Sequence, residues 1–307
     1  MNGHEIIDGF YFIERGWLNG NHFVFKGDET VLIDSGYRGH LRETLRILSD
    51  LGVDAGKVDS IITTHTHCDH IGAHAHIQKS SGCKIFLSRF DKYFIDSRND
   101  WFTWWRYYDQ EAEFFNCSGV LEEGDAVTMG GARFEVFHTP GHASGGLVFF
   151  ERDHSLLISS DALWNNDIGA LTPRIEGNMC TYQALDSLDK IERLGARTAY
   201  PGHGPVIRDV PAAIERCRTR LAHYLENPKA QGMDQIKKIM VYVLLMKNGF
   251  AEEKFYPYLK STHWYPETVD LFLGGNREAI YREAVEQLMD RGAVYREDGM
   301  LKARVKP

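Results

Sequence analysis

The chain has 307 residues, 43% of them apolar and 25% charged, a soluble composition long enough to bury a large core without staples. Its formal charge of −8 disfavours duplex nucleic acid, which requires a basic face, as a default partner, and no apolar run reaches membrane-spanning length. Five cysteines (Cys68, Cys83, Cys117, Cys180, Cys217) are scattered without a C-x-x-C pair, and the start, Met1-Asn2-Gly3-His4-Glu5, carries no leader pattern, so a reducing cytoplasmic setting is expected.

In chain order, residues 22–36 read as two strands turned at Gly27-Asp28, the second ending at Asp34-Ser35-Gly36. Leu41, Leu45, Leu48 and Leu51 recur at helical spacing, and Gly52 stops that helix. A β-rich run at 58–63 delivers the chain to His65. A helix over about 71–78 and a strand at 84–87 follow. Residues 90–115 then break the pattern with 11 of the 37 aromatic side chains. Short strands return at 126–129 and 132–138, and a hairpin is expected across Arg152-Asp153-His154. A long polar loop leads to a helix near 182–194 and a strand at 198–200. Strands and helices alternate in two similar halves, which implies sheets with helices outside them. After Pro211 the strands disappear. A helix near 212–225 ends before Asn227-Pro228, which marks a boundary between residues 1–228 and 229–307.

The chemistry concentrates in His65-Thr66-His67-Cys68-Asp69-His70, four potential ligands in six residues besides the thiol. A divalent cation needs three to five donors at about 2.0–2.3 Å. An H-x-H pair in extended chain points both imidazoles to one side, and Asp69 and His70 follow where the chain turns toward a helix. His142 and His203 each sit in a Pro-Gly-His turn after a strand, and Asp161 closes an apolar strand. Strand carboxyl ends are where α/β folds gather chemistry. His74 and His76 read as ordinary helix residues.

The motifs HTHCDH, TPGHASGG, SSDALW and PGHGPVI resemble those of the metallo-β-lactamase superfamily over about residues 10–225. The resemblance implies an αββα sandwich with a two-metal site along one edge. Carried over, His65, His67 and His142 would hold one metal, Asp69, His70 and His203 the other, and Asp161 would bridge them. Asp34 matches a position that orients the HxHxDH loop, and Cys68 a variable one. The pattern resembles hydrolase branches such as glyoxalase II and departs from true β-lactamases, which lack the late bridging Asp. Two divalent cations are implied, zinc first, with iron or manganese equally compatible with N/O ligands. They would yield hydroxide at neutral pH, with Asp69 orienting it or carrying its proton.

Two expectations concern what surrounds the metals. The aromatic segment 90–115 is either a helical hairpin packed on the domain or a lid for an apolar small-molecule substrate. In the second reading Trp101, Trp104, Trp105, Trp164 and Asn165 line the cleft, and Arg174 anchors an anion. Residues 276–304 suggest a winged-helix hairpin, and together with PGHGPVI they resemble the β-lactamase-like-protein-2 subgroup, which includes thioesterases and an RNA-cutting nuclease. Residues 229–307 carry a net +2, however, too little for phosphate contacts, so a packing or homodimerisation module that shapes the cleft is expected rather than a nucleic-acid reader. The leading function is a hydrolase of esters or thioesters (glutathione, CoA or carrier-protein) with an apolar acyl group. A metal-dependent nuclease or phosphodiesterase and a non-catalytic metal sensor are the alternatives.

Overall fold

The apolar strands of the first 201 residues form two sheets. The structure, a computed structural model, describes residues 3–305; residues 1–2 and 306–307, the outer ends of the two expected domains, lie outside that range. The first sheet runs in sequence order through β1 (Gly3–Ile7), β2 (Phe10–Ile13), β3 (His22–Lys26), β4 (Thr30–Ile33), β5 (Ser60–Ile62), β6 (Lys84–Ser88) and β7 (Gly119–Leu121). Pairing is antiparallel up to β4 and parallel from β4 to β7. Parallel neighbours need crossovers, and α1 (Leu41–Asp50), α2 (His74–Ser81) and α3 (Arg89–Asp96) lie in the three connections. The second sheet has the order β12 (Thr198–Pro201), β11 (Leu156–Ser160), β10 (Leu147–Glu151), β9 (Ala132–His138), β8 (Ala126–Met129). Only β11 and β12 within it are parallel, and the short helix α4 (Pro173–Glu176) and α5 (Cys180–Leu194) lie between them.

Side-chain alternation stacks the layers. In β4, Val31 and Ile33 join Phe134, Phe149 and Ile158 of the other sheet, while Leu32 faces Ile47 and Leu48 of α1 and Ile77 of α2. Across the second sheet, Val148, Phe150 and Leu157 turn to Leu188 and Ile191 of α5 and to Ala213 and Ile214 of α6 (Val210–Glu226). The central strands are buried on both faces, which is why β10 and β11 are apolar for most of their length, while the edge strands β1 and β8 keep exposed residues. The αββα sandwich implied by the motifs is the fold that forms.

The helices α7 (Pro228–Met246), α8 (Glu252–Ser261), α9 (Trp264–Phe272) and α10 (Arg277–Asp290) follow, with a small antiparallel sheet of β13 (Phe250–Ala251), β14 (Val294–Glu297) and β15 (Met300–Ala303). The hairpin of β14 and β15 turns at Asp298-Gly299, both with positive φ, a two-residue turn whose twist suits the strands. The region is helical and winged-helix-like. Its core holds Phe255, Leu259, Trp264, Val269, Ala284 and Leu288.

Helix α7 is apolar on two faces, as a helix buried on both sides must be. Ile236, Ile239, Met240 and Val243 join the C-terminal core, Tyr242 is buried in the cluster of the sandwich that includes residues of α1 and α2, and Met246 packs against both. The aromatic segment contains only one helix, α3; most of residues 97–109 forms turns, and residues 110–118 are irregular, instead of a helical hairpin. Arg98, Trp104 and Asp109 have φ of 51°, 66° and 53°, a backbone that a right-handed helix does not accommodate. Helix α2 likewise starts three residues later than the sequence suggests, because Gly72 N–H is bonded to Gly36 C=O at 2.6 Å in a turn. All five cysteines are free, and no described helix is long and apolar enough to cross a membrane.

Candidate metal centre

The strand ends set the site. Just after β4, Asp34 takes a positive φ of 59° and turns its carboxylate inward. It accepts hydrogen bonds from Thr64 N–H (2.8 Å), Thr64 Oγ1 (2.6 Å) and His70 Nδ1 (2.7 Å), tying both ends of the histidine loop to the sheet. The loop leaves β5 with His65, His67, Asp69 and His70 all buried. His142 follows β9, Asp161 follows β11, and His203 follows β12. Three groups result, each with ligand atoms within 4.8 Å of one another: His65, His67, His142; His65, His70, Asp161; and Asp69, His70, His203. Asp161 Oδ2 stands between the triads, 3.2 Å from His142 Nε2, 3.6 Å from His70 Nε2 and 3.7 Å from His203 Nε2. Gly202 is required by space: a Cβ there would lie 1.9 Å from Asp161 Oδ1. Gly141, before His142, is required by its φ of 140°.

The donor set fits divalent cations. His65 Nε2 and His70 Nε2 are buried and have no hydrogen-bond partner, a costly arrangement unless something else takes their lone pairs. The outer nitrogens are held from behind: His70 Nδ1 by Asp34, and His142 Nδ1 by the Ala170 carbonyl at 2.9 Å. Such partners fix the ring and leave Nε2 facing inward. Burial holds His65 and His67 well below the ordinary imidazole range, so both are neutral donors. Burial also opposes charge on His70, but the carboxylates of Asp161, Asp34 and Asp69 outweigh it and raise His70 well above that range. Those carboxylates thus call for the positive charge that cations would bring. Burial opposes ionisation of Asp161 too, yet the charges of His203 and His70 hold it well below the carboxylate range. The His/Asp clusters are consistent with a dinuclear site.

The sequence model of the metallo-beta-lactamase superfamily matches residues 15–203. The chain belongs to this superfamily of metallo-hydrolases. A hydroxyacylglutathione hydrolase of Bdellovibrio bacteriovorus is 28% identical, over 57% of this chain and 59% of that protein. An atrochrysone carboxyl ACP thioesterase of Aspergillus fumigatus is 25% identical, over 62% and 52%. A beta-lactamase-like protein 2 homolog of Caenorhabditis elegans is 26% identical, over 62% and 57%. The chain therefore spans less than two thirds of the length of these relatives. A metallo-beta-lactamase family protein from Thermus thermophilus has the same fold, with a TM-score of 0.63 at 22% identity over 98% of this chain and 100% of that one.

Around this superfamily centre, the residues named from the sequence for substrate contact divide. Trp104 stacks on His67 with ring centroids 3.7 Å apart, and Trp164 donates its Nε1 to Asp161 Oδ1 at 3.1 Å. Trp101 packs on Tyr107 and His263 instead, and Trp105 on Phe114. Asn165 does not face the ligands, because Arg216 binds both its carbonyl and its Oδ1. The guanidinium of Arg174 pairs with Glu267 at 2.9 Å and lies over Trp101.

Three neighbours of the site were not legible. Glu176 Oε1 lies 3.2 Å from His67 Nε2, and its Oε2 accepts from Ser144 N–H (2.6 Å) and Oγ (2.7 Å). Burial pushes the Glu176 carboxyl up to about 8 against those bonds. Trp17 stacks on His203 at 5.9 Å, and Tyr242 of α7 donates its hydroxyl to Asp69 Oδ2 at 3.2 Å. No local motif marks any of them.

Proposed function

We propose that this chain is a hydrolase of esters or thioesters with an apolar or aromatic acyl group. The observation that carries the reading is the aromatic lining of the buried ligand cluster. Trp104 lies flat on His67 of the first triad, and Trp17 and Trp164 flank His203 of the second, at 5.9 and 5.0 Å. Such walls suit an apolar acyl group by area burial and ring stacking. The arginine named as an anion anchor is already neutralised by Glu267, which argues against a phosphodiester. The hydroxyacylglutathione hydrolase and acyl-carrier thioesterase relatives support the same class.

Two cations held by His65, His67 and His142 and by Asp69, His70 and His203, with Asp161 between them, would polarise the acyl oxygen and lower the pKa of water. The chain's own part is positional. Asp69 is kept ionised, because the charges of His70 and His203 outweigh the penalty of burial, so it can accept and orient a proton-bearing nucleophile. Trp104 and Trp164 exclude solvent from the ligands, which strengthens each charge interaction inside. Asp34 and Glu176 hold His70 and His67 from behind, so the inward nitrogens stay in place. Five free thiols fit a reducing compartment.

The test is a parallel assay of metal-loaded protein on acyl thioesters, aryl esters, lactones, bis(p-nitrophenyl) phosphate and single-stranded RNA. Preferred turnover of a thioester or ester, faster with longer or aromatic acyl groups, is expected. Cleavage of RNA or the phosphodiester alone would overturn the reading.

A further inference from the structure

We propose that Tyr242, from the appended helix α7, is a positioning residue of the metal centre: its hydroxyl holds Asp69 in the orientation that serves the second metal triad. The inference rests on the two-cation reading of the site and is independent of the choice of substrate.

The geometry is specific. Tyr242 is 9% exposed, and its hydroxyl is 3.2 Å from Asp69 Oδ2. The same oxygen is 3.1 Å from His203 Nε2. These two donors do not survive metal binding equally. An imidazole nitrogen offers either a proton or a lone pair. If His203 takes a cation through Nε2, that nitrogen stops donating to Asp69. A phenol hydroxyl donates its proton whatever His203 binds. Tyr242 is then the donor that remains on Asp69 Oδ2, so the carboxylate keeps one fixed hydrogen bond when His203 gives up its own. This is the role that Asp34 plays for His70 and Glu176 for His67. The three supports differ in origin, since only Tyr242 comes from beyond the sandwich.

Packing fixes the hydroxyl. Tyr242 is buried in the cluster that includes residues of α1 and α2, Met246, one helical turn on, packs against both that cluster and the C-terminal core, and Tyr37 donates to Met246 Sδ at 3.2 Å. The opposite face of α7 is held by Met240, Val243 and Leu244 in the C-terminal core. The helix cannot rotate without opening one cluster or the other.

Tyr242→Phe keeps the ring and removes only the donor. Metal-free wild type and variant would be titrated with zinc against a chromophoric chelator. Wild type is expected to take two equivalents. In the variant the first should bind as in wild type and the second about 10–100-fold more weakly, as loss of an outer partner costs elsewhere. A double-mutant cycle adds the second readout: if Tyr242 acts through Asp69, adding Tyr242→Phe to Asp69→Asn changes zinc affinity no further. Unchanged binding of both equivalents, equal weakening of both, fewer than two equivalents in wild type, or additive losses in the cycle would each overturn the proposal. Two equivalents in wild type with no turnover of any acyl substrate would sink the hydrolase reading and leave this one intact.

Discussion

The sandwich and the appended helices solve opposite problems. The sandwich buries Asp34, His65, His67, Asp69, His70, His142, Asp161, Glu176 and His203, groups that are costly to desolvate. From residue 228 onward, the buried polar side chains are Gln231, Gln235 and Thr268, and among the described residues there is no buried carboxyl or imidazole. The sandwich can hold these groups because, Glu176 of α4 apart, they sit at or just beyond strand ends, where loops converge and carboxylates and imidazoles face one another. The appended region is stabilised by apolar burial and delivers one hydroxyl to the site. Stability and chemistry are therefore separable by mutation.

The sharpest break of that comparison is a matched pair of truncations. Asp161→Ala removes the oxygen that lies between the triads and should abolish binding of at least one metal equivalent. Turnover should fall by more than the roughly 100-fold that losing an outer partner can cost. Leu259→Ala, in the appended core at 0% exposure, should cost about 2–5 kcal/mol of stability and leave metal stoichiometry unchanged. Elemental analysis and urea midpoints read both. Normal turnover in Asp161→Ala would remove the basis of the site, and metal loss in Leu259→Ala would end the separation.

The same contrast explains what the sequence revealed. His65 to His70 could be read because one strand end supplies four ligands side by side, and His142, Asp161 and His203 because each ends a strand in a recognisable turn. Asp34 was named only through the family resemblance of the strand it ends. Glu176, Trp17 and Tyr242 were hidden because nothing local marks them: 173 positions separate Tyr242 from Asp69, and its neighbours are plain helix core. The aromatic segment misleads for a related reason. Its spacing suggests helices, but residues with positive φ turn the chain so that Trp104 alone of its three tryptophans reaches the ligands.

Asp91 tests a charge that the sandwich buries outside the ligand set. Burial pushes its carboxyl up to about 7, against hydrogen bonds from Thr66 and Ser88. Its Oδ1 accepts from Thr66 Oγ1 at 3.0 Å, and its Oδ2 has no partner. The folded pKa lies above the unfolded value near 4, so the acid's contribution is complete below pH 4 and is lost as the pH rises through 7. Asp91→Asn has no such loss. Metal-free wild type should therefore lose about 2 kcal/mol relative to the variant between pH 5.5 and 8. An equal stability gap at both pH values in urea unfolding would show that Asp91 is ionised in the fold.

The smallest effect is expected where the two regions touch on the surface. Arg174 of α4 pairs with Glu267 of α9 in water, and exposed pairs contribute about 0–1 kcal/mol and less in salt. Arg174→Ala should stay within that range and leave the ratio of kcat/KM for anionic and neutral acyl substrates unchanged. A tenfold selective loss on the anionic substrate would restore the arginine as an anchor and weaken the case against phosphodiesters. Glu176, two residues further on the same short helix, points the other way and lies against His67. Successive helical positions project about 100° apart, so side chains two positions apart leave on nearly opposite sides. That angle sends Arg174 to solvent and Glu176 to the metal centre.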